Sequence, residues 1–426
     1  MNELLLVIGL AFPCWYGYRR SVTRGRVEIN HVTTLTFGFL FYWITPLAVR
    51  IWASKIDFPM APIWIDLFRP RLTTPYALSC VALYFCFAIG DTLGLRIFRT
   101  VATATKTRRV PRVALLLVTL FGCGLMVYSA YVVRAYLFVP ASPTVLQVGA
   151  ARGAVTSCMV LLATVALIFT IEHPEVRWRK RLLSPYFLAP MAGAAVMLAL
   201  GSRLYVASIL VMFVIYQTNL RARFKLRTVV AVALVLAILF GAIGTWREGT
   251  SVTGALSNVF FEPMIGSLSL VHHLRYKGIA WINEPTQLIG DFRNLIPTVL
   301  MPEKFKTLKK PNAYRPLGGL NSFVSFNLNF GLLGTAVFWF LMPLGFRYLK
   351  SRLSNTLTAT VYIMCTGWLM FTFFRDPFSI SLVKAMFEDS ILVPAVIVGF
   401  GSLLNAACLP ALQVEGIAGD LRTETP

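Results

Sequence analysis

The sequence predicts an all-α polytopic integral membrane protein, because its composition is strongly apolar and long apolar runs recur along it. The 426 residues are 57% hydrophobic and only 14% charged, and the mean hydropathy is +0.69. Soluble domains carry roughly 25% charged residues, and a water-exposed globule of this length could not cover so much apolar surface. Soluble and disordered proteins are therefore excluded.

Apolar runs of spanning length follow one another along the chain. Because about 17–25 residues cross a bilayer as a helix, these runs predict about eleven transmembrane helices. In chain order they are Leu4–Tyr18, Val32–Ile51, Pro75–Ile97, Val113–Phe138, Val155–Ile171, Pro185–Leu200, Leu204–Gln217, Thr228–Thr245, Phe323–Phe346, Thr356–Phe374 and Ser390–Leu409. The first run lacks a basic leader region and a small-residue cleavage site, so it is interpreted as a retained span.

One extended polar segment interrupts this series and sets the domain organisation. The first eight helices occupy residues 1–245, the polar loop 246–322, the last three helices 323–409, and a short tail 410–426. The loop mixes aromatic residues, proline and both signs of charge, unlike a low-complexity linker. Loops of this length are usually functional or disordered, and this composition predicts an ordered cap.

Basic loops predict the orientation of the chain in the membrane. Five clusters alternate along it, namely Arg19/Arg20/Arg24/Arg26, Arg96/Arg99/Lys106/Arg108/Arg109/Arg112, Arg177/Arg179/Lys180/Arg181, Arg221/Arg223/Lys225/Arg227 and Arg347/Lys350/Arg352. Threading the spans places all five on one side, which the positive-inside rule assigns to the cytoplasm. The N-terminus and the large loop are then periplasmic, and the C-terminus is cytoplasmic.

The excess of basic residues is larger than orientation alone requires. Forty Lys and Arg against 18 Asp and Glu give a formal net charge of +22. The outer side stays net positive after the inner clusters are set aside, against the usual trend. Long loops can carry basic residues without effect on topology, so loop composition remains one explanation. An outer site for an anionic ligand is the other.

The positions of the outer arginines favour the anion site. Arg203 follows Leu-Gly-Ser at a hinge between two short spans, and Arg375 directly follows the aromatic pair Phe373-Phe374. Arg247 begins the large loop and Arg293 lies within it, and both are weaker candidates. A guanidinium matches phosphate oxygens with two parallel hydrogen bonds, so two converging arginines suit a diphosphate. Arg134 lies in the outer half of a predicted span. Extension of its side chain to the membrane interface is an alternative explanation for that position.

Several short motifs follow one another in the second half of the chain. Gly201-Ser202-Arg203 opens a span, residues 297–304 have the sequence PTVLMPEK, and residues 318–334 have the sequence GGLNSFVSFNLNFGLLG. Arg375 with Phe378 then follows the penultimate span. This series resembles the motifs of the O-antigen polymerases, the oligosaccharide repeat-unit polymerases of the Wzy type. The resemblance covers roughly Leu200 to Phe378, and the first half matches only in its multi-span character.

The resemblance implies glycosyl transfer at the periplasmic face of the inner (cytoplasmic) membrane of a bacterium. The donor would be a glycan on undecaprenyl diphosphate, and the acceptor the terminal sugar hydroxyl of a lipid-linked repeat unit. The enzyme must stabilise charge on the leaving diphosphate, orient the acceptor hydroxyl and bring two lipids together. Arg203 and Arg375, with Arg247 and Arg293 behind them, are predicted to bind the diphosphate. They would replace a metal ion, so neither a metal nor a cofactor is expected.

The general base and the sugar-binding groups are less narrowly defined. The candidates for the base are His272, His273, Glu248 and Glu262, with a slight preference for the histidine pair. The candidates for sugar binding are Asn321, Ser322, Asn327 and Asn329, which could instead join helices. Relatives often carry a glutamate between the serine and the Asn-Phe-Gly stretch. This chain has none there, so no catalytic role of that residue is transferred.

Other functions remain open beside the polymerase. An O-antigen ligase or an exopolysaccharide polymerase would need the same diphosphate chemistry and would differ in its acceptor. A lipid-linked oligosaccharide flippase or exporter would be expected to place cations along a cavity through the membrane instead. The expected partners are the lipid-linked donor and acceptor, membrane lipids and, in the polymerase case, a chain-length regulator. Nucleic acid is not an expected partner, since the charge follows membrane topology.

Overall fold

The structure is a computed structural model that describes residues 2–52, 70–98, 109–138, 145–231, 234–235, 238, 255–285, 288, 292 and 320–420. The helices before the large loop are α1 (Asn2–Ser21), α2 (His31–Gly38), a π-helical turn (Phe39–Ile44), α3 (Thr45–Trp52), α4 (Pro70–Ile97), α5 (Arg112–Val132), a 3-10 turn (Arg134–Tyr136), α6 (Val145–Glu172), α7 (Trp178–Leu182), α8 (Pro185–Ala199) and α9 (Arg203–Leu220).

The remaining helices lie in the loop and after it. They are α10 (Ala255–Tyr276), α11 (Ser322–Ser351), α12 (Thr356–Trp368), α13 (Thr372–Arg375), a π-helical segment (Ser379–Leu392) and α14 (Val393–Asp420). Three two-residue strands, β1 (Val22–Thr23), β2 (Arg26–Val27) and β3 (Phe224–Lys225), form one small antiparallel sheet. The fold is therefore that of an all-α membrane protein, as predicted.

Six helices in the described part of the chain are long and apolar enough to cross a membrane. They are Thr73–Ile97, Arg112–Val132, Gly153–Glu172, Arg203–Leu220, Ser322–Ser351 and Ile380–Ala407. Each overlaps a predicted span, and the last begins at Ile380, before the predicted start at Ser390. The predicted spans near Pro185 and Thr356 form shorter helices, and Thr228–Thr245 lies largely outside the described residues. The count of eleven spans and the orientation stay predictions.

The predicted polar loop contains a helix that packs against the membrane bundle. α10 contacts α3, the π-helical turn and α11, and it buries Met264, Leu270, Val271 and Leu274. This helix was not predicted, because its proline and charged residues interrupt the apolar pattern. The apolar side of this helix joins the main core rather than a separate one.

The core is built around aromatic side chains held between closely approaching helices. The rings of Trp43 and Trp339 lie 4.9 Å apart, and both residues are fully buried. α4 and α11 approach closely at Gly90, because glycine has no Cβ. A Cβ at this position would overlap the backbone of Phe340. Small residues permit such close helix contacts in membrane bundles.

The described residues of the five basic clusters lie at one end of the bundle, which we call the inner end. β2 of the first cluster pairs with β3 of the fourth, and Lys350 of the fifth pairs with Glu28 beside the first. The Arg112 Nε donates to His173 Nε2 (3.2 Å), which joins the second cluster to the third. The opposite end, which holds Arg203 and Ser322, is called the outer end.

Candidate functional site

Arg203 lies on a sharp turn between α8 and α9 at the outer end. The Ser202 N–H donates to Met197 O and the Gly201 N–H to Leu198 O, both at 2.8 Å. These two bonds form a Schellman motif, which requires a positive φ at its glycine, and Gly201 has φ 74°. Arg203 is then the first residue of an 18-residue helix. Its cation stands beside a helix N-terminus, where backbone N–H groups already favour an anion.

Arg375 ends a one-turn helix that lies across the outer half of α11. The rings on either side of it, Phe373 and Phe378, pack on Phe326 at 5.6 and 4.6 Å. Its side chain remains about one-third exposed, with Nη1 3.7 Å from the carboxylate of Asp376. The aromatic contacts fix the backbone, while the guanidinium stays accessible to a ligand.

Contacts bring the two arginine segments to the same end of the bundle. Tyr205, two residues after Arg203, packs its ring 5.8 Å from that of Trp368. Trp368 ends α12, and Arg375 follows after a short turn. The segments that carry Arg203 and Arg375 therefore lie near each other in the bundle.

The same end contains a break in α11 at Gly331. This glycine has φ 65° and ψ −173°, a conformation open to glycine alone among the common residues. The freed N–H groups of Leu332 and Leu333 donate to the carbonyls of Ala280 and Trp281, at 2.8 and 3.0 Å. A Cβ at position 331 would overlap the backbone of Trp281 and Ile282. The absence of a side chain at Gly331 therefore permits the close approach of the two backbones.

His273 anchors α10 to α11. Its Nε2 lies 3.0 Å from Asn327 Oδ1, an oxygen that also accepts from the Ala280 N–H, while Asn327 Nδ2 donates to Ala280 O. These bonds fix the amide orientation, so His273 Nε2 carries the hydrogen and Nδ1 the lone pair. Burial lowers the pKa of His273, the bond to Asn327 opposes that shift, and the charge of Lys277 adds to it. The imidazole is therefore neutral near pH 7.

The two histidines occupy different environments. His273 is 1% exposed, so a sugar hydroxyl does not reach it in this conformation. His272 is partly exposed, and its ring packs 4.6 Å from that of Tyr276. A base from this pair would accordingly be His272, with His273 holding the segment in place.

The four predicted sugar-binding residues all bond to protein groups. Asn329 accepts from Leu288 N–H and donates to Ser325 O. Asn321 caps α11 by accepting from Phe323 N–H, and Ser322 accepts from the Trp43 indole N–H at 3.2 Å. With Asn327 they are at most 2% exposed. These contacts join segments of the chain, which was the alternative to sugar binding. They keep the four side chains buried rather than exposed to a ligand.

The structure does not describe the side chains of the remaining predicted site residues. Arg247, Glu248 and Arg293 lie outside the described residues. Glu262 falls within α10, and its side chain also lies outside the description. Among the residues that the structure describes, no group of three or more His, Cys, Asp or Glu side chains could hold a metal ion.

A second buried polar cluster, centred on Asp91 at the inner end, was not predicted. Arg347 donates to both carboxylate oxygens (2.6 and 2.8 Å), and Tyr16 donates to Oδ2 at 2.7 Å. His31 Nε2 lies 3.0 Å from Oδ1, and Arg20 Nε lies 3.3 Å from Oδ2. We call these five residues the Asp91 cluster. A lone carboxylate inside an apolar run was the available signal, since such a residue requires partners in a membrane.

A search of family models, curated proteins and solved structures finds no match to this chain.

Proposed function

We propose that this protein polymerises undecaprenyl-diphosphate-linked oligosaccharide repeat units into a surface polysaccharide, as a glycosyltransferase of a bacterial inner membrane. One observation carries the proposal. Arg203 and Arg375 stand at the same end of the bundle, one at a helix N-terminus and one beside the broken helix α11. Two guanidinium groups there suit a lipid diphosphate, whose negative charge grows as the glycosidic bond breaks.

In the proposed reaction, the diphosphate is the leaving group and the acceptor hydroxyl attacks the anomeric carbon. The arginines stabilise the departing charge without a change in their own protonation. A neutral imidazole accepts the hydroxyl proton, and His272 is the better exposed candidate. The contacts of Gly331 and Asn327 would hold the outer segments in the geometry that this chemistry requires.

The inner end of the bundle supports chemistry at one face over transport. Arg347 and Arg181 are buried cations there. Asp91 neutralises Arg347 with two hydrogen bonds, and Arg181 donates to two backbone carbonyls. A polysaccharide flippase would instead need cations available to the passing diphosphate. At the outer end, the Arg375 side chain is about one-third exposed, so an anionic group has access to it.

Deletion of the gene in its native host, with surface glycan resolved on a gel, tests the proposal. Loss of a polymerase leaves single repeat units on the surface carrier and removes the ladder of longer chains. Complete absence of surface glycan would indicate a ligase or a flippase instead, and an unchanged ladder would contradict all of these functions. Restoration of the ladder by the wild-type gene is the control.

A further inference from the structure

The small sheet at the inner end has two chemically different faces. β1 and β2 form a hairpin whose turn residues, Arg24 and Gly25, both have positive φ (51° and 72°). That conformation matches the two-residue hairpin turn favoured by strand twist. β3 comes from a loop about 200 residues later and adds to β2. Because side chains alternate along a strand, Val22, Val27 and Phe224 share one face, and Thr23, Arg26 and Lys225 share the other.

The second face carries like charges directly opposite each other. Arg26 and Lys225 are register partners, and both are exposed. Like charges in this position destabilise a strand pair. The nearest carboxylate along the chain, Glu28, is already bonded to Lys350 and Arg223. Its pKa, although raised by burial, is held below the ordinary value by those two cations. Within the described residues, no carboxylate forms an ion pair with Arg26 or Lys225.

The surroundings place this face at the level of lipid headgroups. Trp15 and Tyr18, on the last turns of α1, are 52% and 59% exposed, and the guanidinium of Arg19 lies 5.4 Å from the Trp15 ring centroid. Exposed Trp and Tyr mark the boundary between membrane and water. The sheet begins directly after α1, so its cations lie just beyond that boundary.

We propose that the cationic face of the sheet, formed by Arg26 and Lys225 with Arg24 at the hairpin tip, binds the phosphate headgroup of an anionic phospholipid of the inner leaflet. The headgroup neutralises the opposed charges and thereby fastens the hairpin to the loop after α9. Basic clusters next to spans attract anionic lipids in general. The proposal is narrower than this general attraction, because it assigns the lipid to the register pair Arg26 and Lys225 rather than to the basic residues of all five clusters.

The test compares charge-matched variants of the full-length protein purified in detergent. Bound lipid is counted by native mass spectrometry with phosphatidylglycerol or phosphatidylcholine added, and thermal unfolding is followed in parallel. Wild type should bind and be stabilised by phosphatidylglycerol, and the Arg26→Gln/Lys225→Gln variant should bind it roughly 10–30-fold more weakly. The control, Arg177→Gln/Arg179→Gln, removes the same charge from exposed positions at the same end and should bind as wild type does.

A single charge reversal tests the physical reason independently. Lys225→Glu places opposite charges across the strand pair, so this variant should unfold at a higher temperature than wild type in phosphatidylcholine, and phosphatidylglycerol should add little. Equal loss of lipid in both double variants would reduce the effect to general charge attraction and overturn the proposal. Stabilisation by inorganic phosphate equal to that by phosphatidylglycerol would overturn the assignment to a lipid.

Discussion

The two ends of the bundle are held together by different kinds of interaction. At the inner end, full charges meet in the membrane-buried Asp91 cluster and in the Glu28 pairs. At the outer end, neutral amides such as Asn327 bond to backbone groups around a broken helix. Removal of one partner from such a buried pair is costly, because it leaves an uncompensated charge. Arg203 and Arg375 lie at this outer end, which is the end proposed to receive an anion.

Removal of Asp91 should have the largest effect on stability. Asp91→Ala leaves the buried Arg347 without its carboxylate, so the free energy of unfolding should fall by about 3–5 kcal/mol. Glu175→Ala is the control, because it removes an acid at the same end that is mostly exposed, and should cost about 1 kcal/mol or less. Denaturation in detergent, followed by tryptophan fluorescence, measures both.

A second substitution sharpens that test of the inner end. Arg347→Met in the Asp91→Ala background removes the unpaired cation and should recover part of the lost stability. Equal losses of unfolding free energy in Asp91→Ala and Glu175→Ala would show that the buried carboxylate does not stabilise the inner end more than an exposed one.

Truncation of the outer arginines should abolish function while leaving stability nearly unchanged. Arg203→Ala or Arg375→Ala should reduce polymer formation about 10²–10³-fold, the usual effect of losing one donor to developing charge. Arg134→Ala is the matched control, because Arg134 packs on the Tyr131 ring at 3.9 Å and has no assigned part in the reaction. Polysaccharide ladders in a complemented deletion strain provide the measurement, and full ladders from either arginine variant would refute the site.

Gly331→Ala tests the broken helix at the outer end. A side chain there combines an unfavourable backbone conformation with overlap on the 281–282 backbone, so the variant should lose about 1–3 kcal/mol of stability and much of its activity. Gly345→Ala lies in the same helix with open space around the glycine and should be neutral or stabilising. Similar melting temperatures for the two variants would mean that the break is not required.

His273 should make a smaller, pH-dependent contribution. Burial lowers its pKa in the folded protein, so the unfolded chain binds more protons than the folded one as pH falls below about 6.5. Stability from this residue is present above that pH and is lost on acidification toward the lowered pKa. Asn at position 273 removes the titration, so melting temperatures of His273→Asn should fall less steeply between pH 7 and 5 than those of wild type. An identical dependence of melting temperature on pH in wild type and variant would contradict this role of His273.

The sequence predicts the membrane class well, because apolar composition and run length depend on local physics alone. It also predicts the hinge at Gly201, since glycine between two apolar spans signals unusual backbone. It does not predict that Asn327 and Asn329 accept hydrogen bonds from backbone N–H groups, since those donors belong to Ala280 and Leu288, over forty positions away. The same limit hides the pairing of Asp91 with Arg347, because a charge reveals its need for a partner but not which partner it takes.

The order of synthesis gives the Asp91 cluster a further consequence for membrane insertion. Arg347 is made 256 residues after Asp91, a delay of roughly 13–50 s at ordinary rates of translation. Tyr16 and His31 precede Asp91 by 75 and 60 residues and are already in place when it enters the membrane. Two of the hydrogen-bonding partners of the carboxylate therefore precede it in the chain, and Arg347 joins them only once α11 is made.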